Sequence, residues 1–69
     1  MNKLEQFRDL FEDTDHSTIN LDTKFREIEE WGSLLSFSFI ALADDEYSKQ
    51  ISADDISTCT TVEDLLNLL

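Results

Sequence analysis

Apolar residues recur three and four positions apart in separate stretches of this chain, and that spacing restricts it to helices packed against one another. Leu4, Phe7, Leu10 and Phe11 form one stripe, with Lys3, Glu5, Arg8, Asp9 and Glu12 on the wet side. Asn2 stands before them as an N-cap and Glu5 follows at the third helical position, the pattern of a capping box. A first helix is therefore expected over residues 3–12. Ser36, Phe39, Ile40, Ala43 and Tyr47 share one side of a second helix, expected over residues 34–47 with Ser33 as its cap. Ser52 caps a short turn at residues 53–56, whose acids Asp54 and Asp55 suit the positive end of a helix dipole. Thr61 opens a last helix over residues 62–69, with Asp64 at the third position and Val62, Leu65, Leu66 and Leu69 as its stripe. The organisation expected is all-α in a single domain, residues 1–69: helix, long loop, short-capped second helix, short third helix, fourth helix.

Between residues 13 and 32 no helical period persists. Asp13, Thr14, Asp15, Ser17 and Thr18 are turn formers whose side chains compete with helix for backbone bonds. Ile19, Leu21, Phe25, Ile28 and Trp31 should pin this long loop, and the spacing of Phe25 and Ile28 predicts one helical turn. Asp13, Asp15 and Ser17 imitate the start of a calcium loop. The sixth position, which needs glycine, is Thr18, and the twelfth, which needs a bidentate acid, is Lys24. His16 has no partner ligand in sequence and reads as a solvated loop residue, so no metal site is expected. Glu29 and Glu30 read as a solvated run. Cys59 has no neighbouring base or cation to lower its pKa and reads as a small half-buried residue.

Charge narrows the partners. Sixteen acids against five bases give a net charge of −11, which repels phosphate backbones and anionic lipid, so neither nucleic acid nor membrane is an expected partner. Surfaces rich in Lys and Arg are. No apolar run approaches the ~20 residues a bilayer demands. The start Met1-Asn2-Lys3-Leu4-Glu5 lacks a leader pattern, and the single cysteine fits a reducing compartment. A cytoplasmic monomer is expected. One histidine, one cysteine and one glycine, in a domain too small for a water-excluding pocket, leave no catalytic residues to name, and an enzyme is not expected.

Ser33 is the residue that composition does not explain. It sits where the irregular stretch meets the second helix, whose outer side holds Leu34, Phe37, Ser38, Ala41, Asp44 and Asp45, with Leu35 and Leu42 on the flanks. Leu34, Phe37 and Ala41 should form an exposed apolar patch, the mark of a contact surface. A hydroxyl at a helix N-terminus beside such a surface suggests a place where a group is attached.

The stretch Phe25-Arg26-Glu27-Ile28-Glu29-Glu30-Trp31-Gly32-Ser33-Leu34 resembles the approach to the phosphopantetheine serine of acyl carrier proteins, usually written Asp-Ser-Leu. Asp44-Asp45-Glu46-Tyr47 is similar to the acidic and then aromatic end of that family's second helix. Ile51-Ser52-Ala53-Asp54-Asp55-Ile56 and Thr60-Thr61-Val62-Glu63-Asp64-Leu65 are similar to its third helix and the Thr-Val opening of its fourth. The resemblance implies a small four-helix bundle in which Ser33 bears 4'-phosphopantetheine, donated from coenzyme A by a phosphopantetheinyl transferase. It implies an arm whose thiol carries acyl groups as thioesters between acyl-transferring and condensing enzymes of fatty-acid, polyketide or related lipid biosynthesis. Leu34, Phe37, Ala41, Asp44 and Asp45 would then bind those partners. Gly32 stands where the family usually has aspartate, and Leu35 and Ser38 take second-helix positions commonly exposed and acidic, which implies more apolar partners. Two other readings stay open: a peptidyl or aminoacyl carrier with the same fold and serine, and a small acidic interaction module that carries nothing.

Overall fold

The computed structural model describes residues 2–69; Met1, where the stretch read for a leader begins, lies outside them. Among the described residues four α-helices form: α1 (Lys3–Arg8), α2 (Ser33–Tyr47), α3 (Ala53–Ser57) and α4 (Val62–Leu66). Two 3-10 turns, His16–Thr18 and Phe25–Glu27, lie between α1 and α2, the second where Phe25 and Ile28 predict a turn. Among the described residues β-pairing is limited to one antiparallel bridge, Lys24 to Thr61. No helix of these residues is long and apolar enough to cross a membrane.

Local signals start α1, α3 and α4 where the sequence predicts. Asn2 Oδ1 accepts from the Glu5 backbone N–H at 2.8 Å, without the reciprocal Glu5 side-chain bond that the expected capping box would add, while Ser52 forms a full capping box with Asp55 and Thr61 one with Asp64. Helix ends differ from expectation. α1 stops at Arg8 rather than residue 12, because the N–H groups of Glu12, Asp13 and Thr14 donate to the Glu30 carboxylate at 3.0–3.1 Å. Those donors are then lost to a continuing helix. The chain tightens instead, Leu10 and Phe11 donating three residues back at 3.1 and 3.0 Å, which keeps Phe11 buried. α4 likewise ends at Leu66 rather than residue 69, with Leu68 and Leu69 in tightened turns.

The core combines aromatic side chains from α1, α2 and the connection between them with aliphatic ones from α3 and α4. Phe7, Phe11, Phe25, Phe39, Ile19, Leu65 and Val62 are its largest fully buried side chains. Phe7 meets Phe39 edge-on at 5.8 Å, joining α1 to α2, and Trp31 lies 4.9 Å from Phe25 and 6.2 Å from Phe7. Each such pair adds about 0.5–1.5 kcal/mol beyond the area it buries. Of the expected pins only Leu21 fails, at 44% exposed; its carbonyl works instead, accepting from the Glu63 N–H at 2.9 Å. Thr23 O accepts from Val62 N at 2.8 Å, so the connection between α1 and α2 satisfies the first turn of α4. The Arg26 guanidinium lies 4.6 Å from the Phe25 ring and donates to the carbonyls of Ile56 and Cys59 at the end of α3.

Candidate functional site

The start of α2 is fixed from behind. Trp31 is anchored in the aromatic cluster, and its N–H donates to Ile28 O at 2.9 Å. One residue earlier, the Glu30 carboxylate accepts from three successive N–H groups and from Thr14 Oγ1 at 2.7 Å. The Thr14 hydroxyl, with those backbone donors, holds the Glu30 carboxyl below its ordinary pKa. Glu30 is therefore a clamp and not part of a solvated run. No pattern in the sequence pairs it with residues sixteen or more positions away.

Ser33 is the first residue of α2 and not its cap. The helix closes its first bond from Ser36 N to Gly32 O at 2.9 Å, which makes Gly32 the N-cap. Gly32 has φ −173°, extended backbone that any residue adopts, and a Cβ built on it would meet nothing within 4 Å. Having no side chain, it accepts no bond from the first turn. The N–H groups of Ser33, Leu34 and Leu35 precede the first helical bond and have no side-chain acceptor. The Ser33 side chain is exposed. The start of α4 is the opposite case, with its first N–H groups taken by Thr23 O, Leu21 O and Thr61 Oγ1.

The two faces of α2 divide nearly as the sequence predicts. Leu34 is 77% and Phe37 70% exposed, and Ala41, Asp44 and Asp45 are exposed with them. The buried line is Leu35, Phe39 and Ala43, while Ser36, Ile40 and Tyr47 are half-buried on one flank and Leu42 on the other. The helix is thus rotated toward Leu35, which is core, so the reading of Leu35 as an exposed, usually acidic position is overturned. Ser38 is half-buried, its hydroxyl donating to Leu34 O at 3.0 Å. Phe37, Ile40, Ala41 and Ile51 help line a shallow cleft of about 390 Å³ beside the exposed face.

Other singled-out residues are spent on structure. Asp15 accepts from Ser17 N and Oγ at 3.0 and 2.8 Å, and the Ser17 N–H bond is the main cause holding its carboxyl below the ordinary value. His16 is exposed, yet its Nε2 lies 2.8 Å from Phe11 O, so it is tied to the turn after α1 and not merely solvated. Cys59 is buried, and burial pushes its thiol upward, away from the reactive thiolate. Compared with models of known families, residues 4–69 match the phosphopantetheine attachment site. No curated protein and no solved structure gives a significant match.

Proposed function

Because the chain belongs to the phosphopantetheine attachment family, we propose that it is an acyl carrier protein whose Ser33 bears the arm. The observation that carries the choice of serine is its unspent hydroxyl on the open first turn of α2. The hydroxyls of Ser17, Ser38, Ser52 and Ser57 are each engaged in hydrogen bonds, and Ser36 is half-buried within the helix. Ser48 closes the far end of α2 in a left-handed conformation. Free N–H groups and the positive end of the helix dipole beside Ser33 suit a phosphodiester, and the bare Gly32 leaves them accessible.

In the priming step Ser33 Oγ forms a bond to phosphorus while the pyrophosphate bond of coenzyme A breaks. The nucleotide half departs, and the hydroxyl proton passes to the transferase. When bound, 4'-phosphopantetheine supplies a thiol that holds an acyl group as a thioester. The residues of this chain supply position: Trp31 and Glu30 fix the approach to α2, and α2 presents Ser33 at its tip. We read residues 1–69 as one small four-helix-bundle carrier domain acting in the cytoplasm between acyl-transferring and condensing enzymes, not as a catalyst. Leu34, Phe37, Ala41, Asp44 and Asp45 are the face those enzymes meet. Strong acidity supports acyl cargo of the fatty-acid, polyketide or related lipid type.

Incubation with coenzyme A and a broad-specificity phosphopantetheinyl transferase tests the assignment by intact mass. The wild type should gain one arm and Ser33→Ala none. An equal gain on Ser33→Ala would move the site to another residue.

A further inference from the structure

We infer that Thr14 is a positioning residue for the attachment serine. It holds the Glu30 carboxylate as a latch across the connection between α1 and α2, and opening that latch loosens the first turn of α2 and slows attachment while the core stays folded. This role rests on the reading of Ser33 as the residue that takes the arm. The latch is asymmetric. Glu30 Oε2 accepts one bond, from Glu12 N at 3.0 Å. Oε1 accepts from Asp13 N at 3.1 Å, Thr14 N at 3.0 Å and Thr14 Oγ1 at 2.7 Å. Thr14 thus supplies two of the four donors, including the shortest contact and the one side chain among them. Open space adjoins these bonds: a cavity of about 670 Å³ is lined by Asp13 and Thr14 and also by Glu27, Ile28 and Glu29. Contact between the two segments there rests on hydrogen bonds more than on packing.

What the latch holds is a helix start with little of its own to fix it. Gly32 caps α2 without a side-chain bond, and no acid stands in the first turn. The starts of α3 and α4 have both devices, a capping box and two acids each. At α2 the first turn is closed by the backbone bond from Ser36 N to Gly32 O at 2.9 Å, and glycine at its acceptor end adds conformational freedom. The seam therefore takes its position from upstream, from Trp31 in the aromatic cluster and from Glu30 beside it. Trp31 anchors a side chain, whereas the latch ties the main chain that leads to Ser33 back to residues 12–14. Such a tie matters for a transfer reaction, because a misplacement on the order of 1 Å can lower a rate about 100-fold.

Kinetics of arm attachment and amide exchange separate positioning from folding. Thr14→Val keeps the shape and removes the hydroxyl, Thr14→Ser keeps the hydroxyl, and Glu30→Gln removes the charge and sets an amide NH2 against the backbone donors. Ser52→Ala, which removes the cap of α3, controls for stability lost elsewhere. With coenzyme A and a broad-specificity phosphopantetheinyl transferase, Glu30→Gln should lower kcat/KM about tenfold and Thr14→Val at least about threefold, the range of a single hydrogen bond. Thr14→Ser should restore the wild-type rate and Ser52→Ala should keep it. The double variant of Thr14→Val with Glu30→Gln should be no slower than Glu30→Gln alone, because both open one latch. By NMR the Ser36 amide should exchange faster in the same order, while that of Lys49, bonded to Ala43 O at the far end of α2, should not change. Circular dichroism should show every variant folded. The role of Thr14 is overturned if Thr14→Val costs less than about threefold or unfolds the domain, if Thr14→Ser fails to restore the rate, if Ser52→Ala slows attachment as much, or if Ser36 exchange is unchanged. The two readings fail separately: an arm gained by Ser33→Ala would remove the attachment assignment, whereas unchanged Ser36 exchange would remove the latch.

Discussion

Glu30 shows how one side chain can set a boundary that no periodicity contains. Its carboxylate holds the N–H groups of residues 12–14, which ends α1, and it lies three residues before Ser33. Because its folded pKa lies below the ordinary value, the clamp contributes stability above the ordinary carboxylate range and loses it as pH falls through the lowered folded value. Asp15 and Asp64 shift the same way, so the contribution of Glu30 is isolated by comparison. In denaturant melts from neutral to acid pH, the wild type should lose more stability than Glu30→Gln. Parallel losses would mean the clamp contributes nothing. Phe25 is a different kind of anchor, fully buried, edge-on to Trp31 at 4.9 Å and lying beneath Arg26. Phe25→Ala should cost about 3–5 kcal/mol in urea unfolding; a loss under about 0.5 kcal/mol, the level of a surface change, would contradict that anchoring. Ser33→Ala should stay within about 0.5 kcal/mol of wild type, since Gly32 and not Ser33 is the cap.

At the scale of elements, what the sequence reveals divides by distance along the chain. Caps act within four residues, so Asn2, Ser52 with Asp55, and Thr61 with Asp64 are legible as helix starts. Helix ends are set here by groups far away, such as Glu30 on residues 12–14 or Arg26 on the carbonyls of Ile56 and Cys59, and no local pattern encodes them. The outward face of α2 is legible because Asp44 and Asp45 mark it. Its rotation toward Leu35 is not, because the uncharged stretch from Ser33 through Ala43 offers apolar side chains on every side. Ser33 is legible as the seam, but a glycine cap carries no side-chain signal, so its position one step inside the helix is not. The other end of α2 has a visible cost. Ser48 closes it at φ 53°, ψ 38°, with Ser48 N and Lys49 N donating to Asp44 O and Ala43 O at 3.2 and 3.0 Å. Left-handed backbone is strained for a residue with a Cβ and natural for glycine. Ser48→Gly should therefore stabilise by about 0.5–1 kcal/mol after the entropic cost of glycine, seen as a raised melting temperature. A lowered one would show that the serine side chain earns its place there.

The molecule as a whole is an acid droplet. Its longest extent is 28 Å, and sixteen acids face five bases within it. Lys3, Arg8 and Arg26 donate to carbonyl oxygens, of Leu69, Ile19, and Ile56 with Cys59, so these cations serve the backbone. Compaction therefore gathers like charges faster than it pairs opposite ones, and folding works against self-repulsion. At about 0.01 M salt the screening length is roughly 30 Å, longer than the protein, and every acid acts on every other; at about 1 M it is roughly 3 Å and distant acids no longer interact. Sodium chloride should accordingly raise the melting temperature at neutral pH over that range, most steeply at its low end where the screening length passes through the dimensions of the fold. Salt would then act in opposite senses on two properties: it stabilises the chain while it slows association with a basic partner. A melting temperature that falls as chloride is added would mean that attraction between charges, and not repulsion among the acids, dominates the electrostatics of the folded state.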